Sequence, residues 1–324
     1  MKEKQINKDK RILITWANGF IWANLLRKLL NEWFKNIFIV LRETSNIRRI
    51  KDIIDKVNVS NVSLLDIDWL EGFIKDIKPE IIYHLAAAGA YIGRDERWIK
   101  DLFEVNVMGT INLINACRKV WFDYFINTGS NSEYGQKDHP MNETDMLEPN
   151  NDYGVTKAAA TLYASYIWKK YVLPIYTFRL FAVYGYYEDK TRLIPSLMLN
   201  YIKWTSPSLS KPDSVRDYIF IEDVVDYYLN IWKISWNFGW IYNIGNGKQY
   251  SIAEVVEIIK NIANSNIEPT YGWVTIKQNE PKHRLCDKTK TTKDFWLSWT
   301  SFKIGLQKSY EWYQNNQYLY DIFQ

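Results

Sequence analysis

The chain has 324 residues, with 41 Lys and Arg against 37 Asp and Glu and a formal net charge of +4. That length accommodates one compact, two-lobed molecule without forcing a split into independent domains, and a charge so near balance, without a clustered basic face, argues against nucleic acid as a partner. There is no run of about eighteen apolar residues, and Cys117 and Cys286 stand far apart without redox or metal-ligand spacing, so the expectation is a cytoplasmic protein with reduced thiols, no metal and no membrane segment.

From Arg11 to Pro149, short β-branched runs alternate with segments of helical period. The runs are RILIT, NIFIVL, NVSLLDI, EIIYHLAA and DYFINTGS; between them lie stretches such as ANLLRKLLNEW and DLFEVNVMGTINLINACRKV. This pattern predicts an α/β fold, a Rossmann-type doubly wound parallel sheet. Beyond it, NDYGVTKAAATLYASYIWKKY reads as a long helix, PIYTFRLFAVYG as strand and turn, RLIPSLMLNYIK as a helix, SVRDYIFIEDVVDYYLNIWK and IYNIGNGKQYSIAEVVEIIKNIA as strands entering helices, and TSFKIGLQKSYEWYQ as a closing helix. Residues 1–175 are assigned mainly to nucleotide binding, and 176–324 to a smaller C-terminal substrate-binding lobe interleaved with the last sheet strands.

RILITWANGFIWANLLRKLL places a strand, a tight loop and a helix where a pyrophosphate meets a helix N-terminus. A dinucleotide fingerprint needs three glycines there, for the turn, for backbone approach and for helix packing on the strand. Those places hold Trp16, Gly19 and Trp22. Tryptophan recurs where glycine is natural: Trp33 and Trp121 each end a helix before a strand, where a left-handed cap belongs. Trp240 precedes IYNIG, and Trp204, Trp236 and Trp273 lie in turn-like text. Glycine is 14 of 324 residues, about 4% against a usual share of about 7%. If roughly twelve of the fifteen tryptophans were glycine, that share would be about 8% and ordinary. The expectation is a gene in which UGA specifies glycine, read with a code in which UGA specifies tryptophan; Trp299 and Trp312 read as true tryptophans. If Trp16 and Trp22 are genuine, the chain is instead a catalytically dead Rossmann-fold binding protein.

INTGSNSEYG at a strand end, YGVTK beyond it, HLAA at residues 84–87, NVMGT from Asn106, RLFAVYG, VRDYIFIEDV and YNIGNG occur in order over nearly the whole chain. In this the sequence resembles the extended short-chain dehydrogenases, the NAD-dependent epimerase/dehydratase family. Residues four apart share a helix face, so Lys157 lies beside Tyr153, where its charge would favour tyrosinate and lower the phenol pKa. Tyr153 would then exchange the proton of a sugar hydroxyl while hydride moves to or from nicotinamide.

The resemblance implies that Ser130, four residues before Tyr134, steadies the sugar oxygen. Ser132 is the alternative and a substrate contact, or else a turn cap. Dehydrating members carry Thr-Asp-Glu or Thr-Ser-Glu here, but this chain has Ser130, Asn131 and Ser132; 4-ketoreduction or C4 epimerisation of a nucleotide-linked hexose remains. Gly19, Phe20 and Ile21, with Trp16 and Trp22, form the cofactor loop, and Leu85, Ala86, Ala87, Asn106 and Phe181 join the cofactor set. Arg42, with Ser45 and Asn46 near, follows the second strand, where an acid would select NAD and an arginine accommodates the 2′-phosphate, so NADP(H) is favoured over NAD(H). Asp66 and Ile67, taken to end the third strand, would face the adenine. Arg216 and Arg284 match arginines that grip the substrate diphosphate, and Arg192 would assist. HLAAAGAYIGRDE and SNSEYGQKDHPMNETD resemble the reductases and epimerases that make CDP-linked dideoxysugars such as abequose. Ala182 stands where the family often has a substrate-contacting Asn. A homodimer through the helices spanning Val105 to Cys117 and following Tyr153 is expected.

Overall fold

The computed structural model describes residues 7–15, 19–89, 96–234, 240–272 and 283–320. Trp16, Trp236 and Trp273 lie outside the described residues. In chain order the elements are β1 (Ile12–Thr15), α1 (Phe20–Asn31), β2 (Ile37–Leu41), β3 (Asn58–Asn61), α2 (Ile67–Ile77), β4 (Ile81–His84), α3 (Glu96–Phe103), α4 (Gly109–Cys117) and β5 (Tyr124–Ser130). They continue with α5 (Asp152–Tyr171), β6 (Ile175–Leu180), β7 (Ala182–Tyr184), α6 (Leu193–Ile202), β8 (Ser208–Leu209), β9 (Val215–Phe220) and α7 (Ile221–Leu229). The last are β10 (Ile241–Ile244), β11 (Gln249–Ser251), α8 (Ile252–Ala263), β12 (Thr270–Tyr271), α9 (Thr289–Phe295) and α10 (Phe302–Asn315).

A seven-stranded sheet in the order β10-β6-β5-β4-β1-β2-β3 is parallel at every pairing, the Rossmann-type arrangement that the alternating runs predict. Its strands are apolar at successive positions because helices cover both faces. Ile12 and Ile14 enter one core with Leu25, Leu26 and Leu29 of α1, while Leu13 enters the other with Leu113 and Ile114 of α4 and Ile167 of α5. The strand order reverses between β1 and β4, so a crevice for ligand opens at their carboxyl ends. Past residue 175 the chain adds β6 and β10 to this sheet and builds a smaller one in the order β11-β9-β7.

Two local expectations are corrected. The strand expected over NVSLLDI, residues 61–67, lies earlier: β3 is Asn58–Asn61 and shares only Asn61 with that run, while Asp66 is the N-cap of α2, accepting from the Trp69 amide at 3.1 Å, and Ile67 is that helix's first residue. The Asp-x-x pattern before an apolar period is an N-cap signal, which outweighed the apolar text. Trp121 is not in the left-handed region. After α4 the chain exits by tight turns, Lys119 to Ala116 and Val120 to Cys117, with Arg118 still right-handed.

Candidate active site

β5 ends at Ser130 and turns at once into a short 3₁₀ segment, Asn131–Glu133. A capping box fixes this corner: the Ser132 amide donates to Ser130 Oγ at 3.1 Å and the Ser130 amide donates to Glu133 Oε1 at 2.8 Å. The capping hydroxyl is thus that of Ser130, not Ser132. A Cβ on Gly154 would stand 2.5 Å from the Ser132 carbonyl oxygen, so only glycine lets the first turn of α5 close on this corner. Asn151 caps that turn by accepting from the Gly154 amide at 2.9 Å.

The closure brings the sequence-predicted trio together. Ser130 lies close enough to the Tyr153 phenol for its side chain to favour the ionised form, and Lys157 lies one turn along α5, 3% exposed. Burial pushes the Tyr153 phenol above its ordinary value, a shift opposed by Ser130 and Arg192 and reinforced by Glu133. Desolvation is the largest influence on this phenol and outweighs the groups that favour tyrosinate. Burial lowers Lys157 itself to about 8, with Glu133 pulling it back up.

The crevice side of the site is held by a buried chain of hydroxyls. Thr110 donates to the Asn106 carbonyl at 2.7 Å, so at His84 Nε2, 2.8 Å away, it accepts. Nδ1 then accepts from Thr15 at 2.9 Å, and Thr15 Oγ1 accepts from the Ala86 amide at 3.3 Å. Burial lowers His84 to about 3, which keeps it neutral for this role. Asn106 accepts from the Ala88 amide at 2.7 Å and donates to the Ala88 carbonyl and to Thr156 of α5. The Leu85–Ala88 stretch is therefore tied at once to the sheet, through Ala86, and to the helix carrying Tyr153, through Ala88.

At the expected cofactor loop, Gly19 is the N-cap of α1 with φ −73°, and among the described residues no side chain caps it, so the first-turn amides of Phe20 and Ile21 suit a ligand. That donor set suits a pyrophosphate. Trp22 fills the place of the third glycine, 2% exposed, its indole nitrogen without an acceptor. Arg42 follows β2 directly and is exposed, its amide donating to Ser45 Oγ at 3.0 Å. Phe181 is buried with Tyr134, Met141 and Cys286.

On the substrate side, Arg192 is the exposed N-cap residue of α6, close enough for its charge to act on Tyr153. Arg216 of β9 stands opposite Tyr250 of β11, and the Arg284 amide donates to the side chain of Gln249 on the same strand, so both arginines meet at one corner. Asp217 pins that corner by accepting the amides of Asn246, Gly247 and Cys286 at 2.7, 2.9 and 2.9 Å. Ala182 of β7 pairs with Tyr218.

Asp217, Glu133 and Arg179 escaped the sequence reading, although each is a charge inside an apolar strand or strand end, which signals buried pairing. Cys117 and Cys286 are free and buried. Among the described residues, no group of His, Cys, Asp and Glu is placed to hold a metal ion, and no helix is long and apolar enough to cross a membrane.

The model of the NAD dependent epimerase/dehydratase family matches residues 12–245. The chain belongs to this family. Among curated relatives it is 26% identical to the dTDP-D-glucose 4,6-dehydratase of Homo sapiens, over 95% of this chain and 91% of that one. Among solved structures, it superposes on a UDP-glucose 4-epimerase with UDP-glucose from Thermotoga maritima with a TM-score of 0.86, at 22% identity and over 95% and 99% of the two chains. A UDP-glucuronic acid 4-epimerase from Bacillus cereus, in complex with UDP-glucuronic acid and NAD, gives 0.83 at 24% identity over 94% and 99%. Membership makes the chain an enzyme of NAD-dependent epimerase/dehydratase type.

Proposed function

We propose that this family member is a 4-ketoreductase of nucleotide-deoxysugar synthesis, transferring hydride to C4 of a nucleotide-linked hexose with NADP(H) favoured over NAD(H). The observation that carries this reading is the β5 corner, where Ser130 and Tyr153 meet beside Lys157 while Asn131 and Ser132 occupy the places of the dehydratase acids. Without an acid and base there, removal of water across C5 and C6 lacks its proton carriers.

In this reading Ser130 holds the sugar C4 oxygen. Tyr153 gives that oxygen its phenolic proton as hydride reaches C4, and the Lys157 charge steadies the tyrosinate that remains. The nicotinamide supplies the hydride when bound, held by the first-turn amides of α1, the Leu85–Ala87 loop and Arg42. Arg192, Arg216 and Arg284 take the diphosphate, and two copies of the chain form a homodimer.

A second reading, NAD-dependent 4-epimerisation, is favoured by the likeness to solved 4-epimerases. One experiment separates them. The purified protein is given NADPH and a 4-keto-6-deoxy sugar nucleotide; stoichiometric NADPH loss with a C4 hydroxyl product supports the reductase. Tightly retained NAD, with interconversion of C4 epimers and no net oxidation, replaces it with the epimerase. Nicotinamide binding without either reaction removes both.

A further inference from the structure

We propose that the tryptophans at 22, 33, 204 and 296 stand where the protein made in its own cells carries glycine, because UGA in its gene is decoded as glycine. The argument rests on backbone geometry and holds whichever reaction the site performs.

Three of these residues have a left-handed backbone: Trp33 at φ 65°, Trp204 at φ 56° and Trp296 at φ 52°. For a bulky L residue this region is a genuine outlier, since Cβ crowds its own carbonyl, whereas glycine enters it freely. The hydrogen bonds identify the motif. After α1, the Trp33 amide donates to Leu30 O at 3.0 Å and the Phe34 amide to Leu29 O at 3.1 Å. After α6, the Trp204 amide donates to Tyr201 O at 3.3 Å and the Thr205 amide to Asn200 O at 2.9 Å. Both are Schellman motifs with tryptophan at the position after the cap residue, the place where glycine is most enriched. Trp296 is the left-handed cap residue of α9.

The side chains at these positions do no packing work. Trp33 is 80% exposed, Trp204 71% and Trp296 85%, a poor use of the largest apolar residue. Trp299 and Trp312 behave oppositely: Trp299 packs on Tyr227 at 5.3 Å between ring centroids, and Trp312 lies against Tyr186, Tyr187, Tyr313 and Tyr320. Left-handed backbone alone does not mark a misread codon, because Lys78, Val172, Tyr187 and Asn264 share it among the described residues. The combination of left-handed backbone, outward indole and helix-end position separates the first group from the second.

Trp22 is the inverse case. It is buried between α1 and the sheet with an indole N–H that finds no acceptor, a cost glycine would not carry. It also stands where close approach of helix and strand calls for glycine. With glycine at 22, and at 16 by the same codon, the first βα turn regains its three glycines.

The test is made on the protein isolated from its own cells, by mass spectrometry of the peptides spanning residues 22, 33, 204, 296, 299 and 312. Glycine at the first four with tryptophan at 299 and 312, and UGA against UGG codons in the gene, is the expected result. Tryptophan at Trp33 or Trp204, or a UGG codon at Trp22, overturns the proposal.

Discussion

Glu133 accepts the Arg179 Nε–H at 2.7 Å with both side chains out of solvent, and the same carboxylate takes the Ser130 amide on its other oxygen. The ion pair therefore underlies Ser130, the residue proposed to hold the sugar oxygen. Thr161 of α5 donates to Glu133 Oε1 at 3.1 Å, and Arg179 passes on to the Tyr134 hydroxyl, which donates to Asn243 of β10. One carboxylate thus joins β5, β6, β10 and α5.

Its charge raises both Lys157 and Tyr153. Glu133→Gln keeps an acceptor but removes that charge, so both groups lose their protons at lower pH than before. Any limb of the kcat/KM profile set by either one moves to lower pH, and for Lys157 that means below about 8. A profile that stays in place, in a variant that melts normally, would leave Glu133 a packing role only. Arg179→Met strands the carboxylate in the core and costs roughly 3–5 kcal/mol, far more than the double replacement Glu133→Met with Arg179→Met; chemical denaturation compares them.

Tyr153→Phe removes the proposed proton donor while leaving the crevice intact. Turnover should fall by about 10²–10⁴, with nicotinamide affinity by fluorescence little changed. Loss of both together would mean that Tyr153 supports the fold of the site and not its chemistry.

Glu188 is buried, its Oε2 has no hydrogen-bond partner, and burial pushes its carboxyl up to about 8 against the opposing charge of Arg192. The folded protein holds this proton up to about 8, whereas the unfolded chain releases it near the ordinary glutamate value of 4.5. The contribution to stability is complete below 4.5 and is lost as pH rises to about 8. Glu188→Gln has no proton to lose, so its Tm advantage should be absent at acid pH and greatest above about 8. A constant difference in Tm across that range contradicts the assignment.

Val155, Leu162 and Tyr166 form an exposed apolar stripe on α5 at helical spacing, near exposed Phe103 and Met108. A second copy of the chain is the proposed cover. Light scattering of the unaltered protein should give twice the chain mass, and Leu162→Glu should shift it to monomer without changing the circular dichroism. Monomer for both would remove the dimer from the proposal.

The parallel sheet was legible because strands buried on both faces write themselves as unbroken apolar runs, and Tyr153 and Lys157 because helical spacing alone puts them on one face. β3 was placed too late in the chain because Leu64 and Leu65 give an apolar text after it, although the Asp66 cap already commits that text to the entry of α2. Glu133 and Arg179 are far apart in sequence, and only the pairing of β5 with β6 brings them together. The upward shift of Tyr153 was beyond any motif, since burial is a property of the assembled site.

The sheet order makes the protein indivisible. β6 has β5 on one side and β10 on the other, and β10 arrives only after α7. A fragment stopping at residue 175 would leave β5 with an open, apolar row of backbone donors and acceptors, a template for another strand. Attempts to express the nucleotide-binding half by itself should therefore give aggregates, and during synthesis β6 keeps an open edge until the polypeptide has passed residue 244.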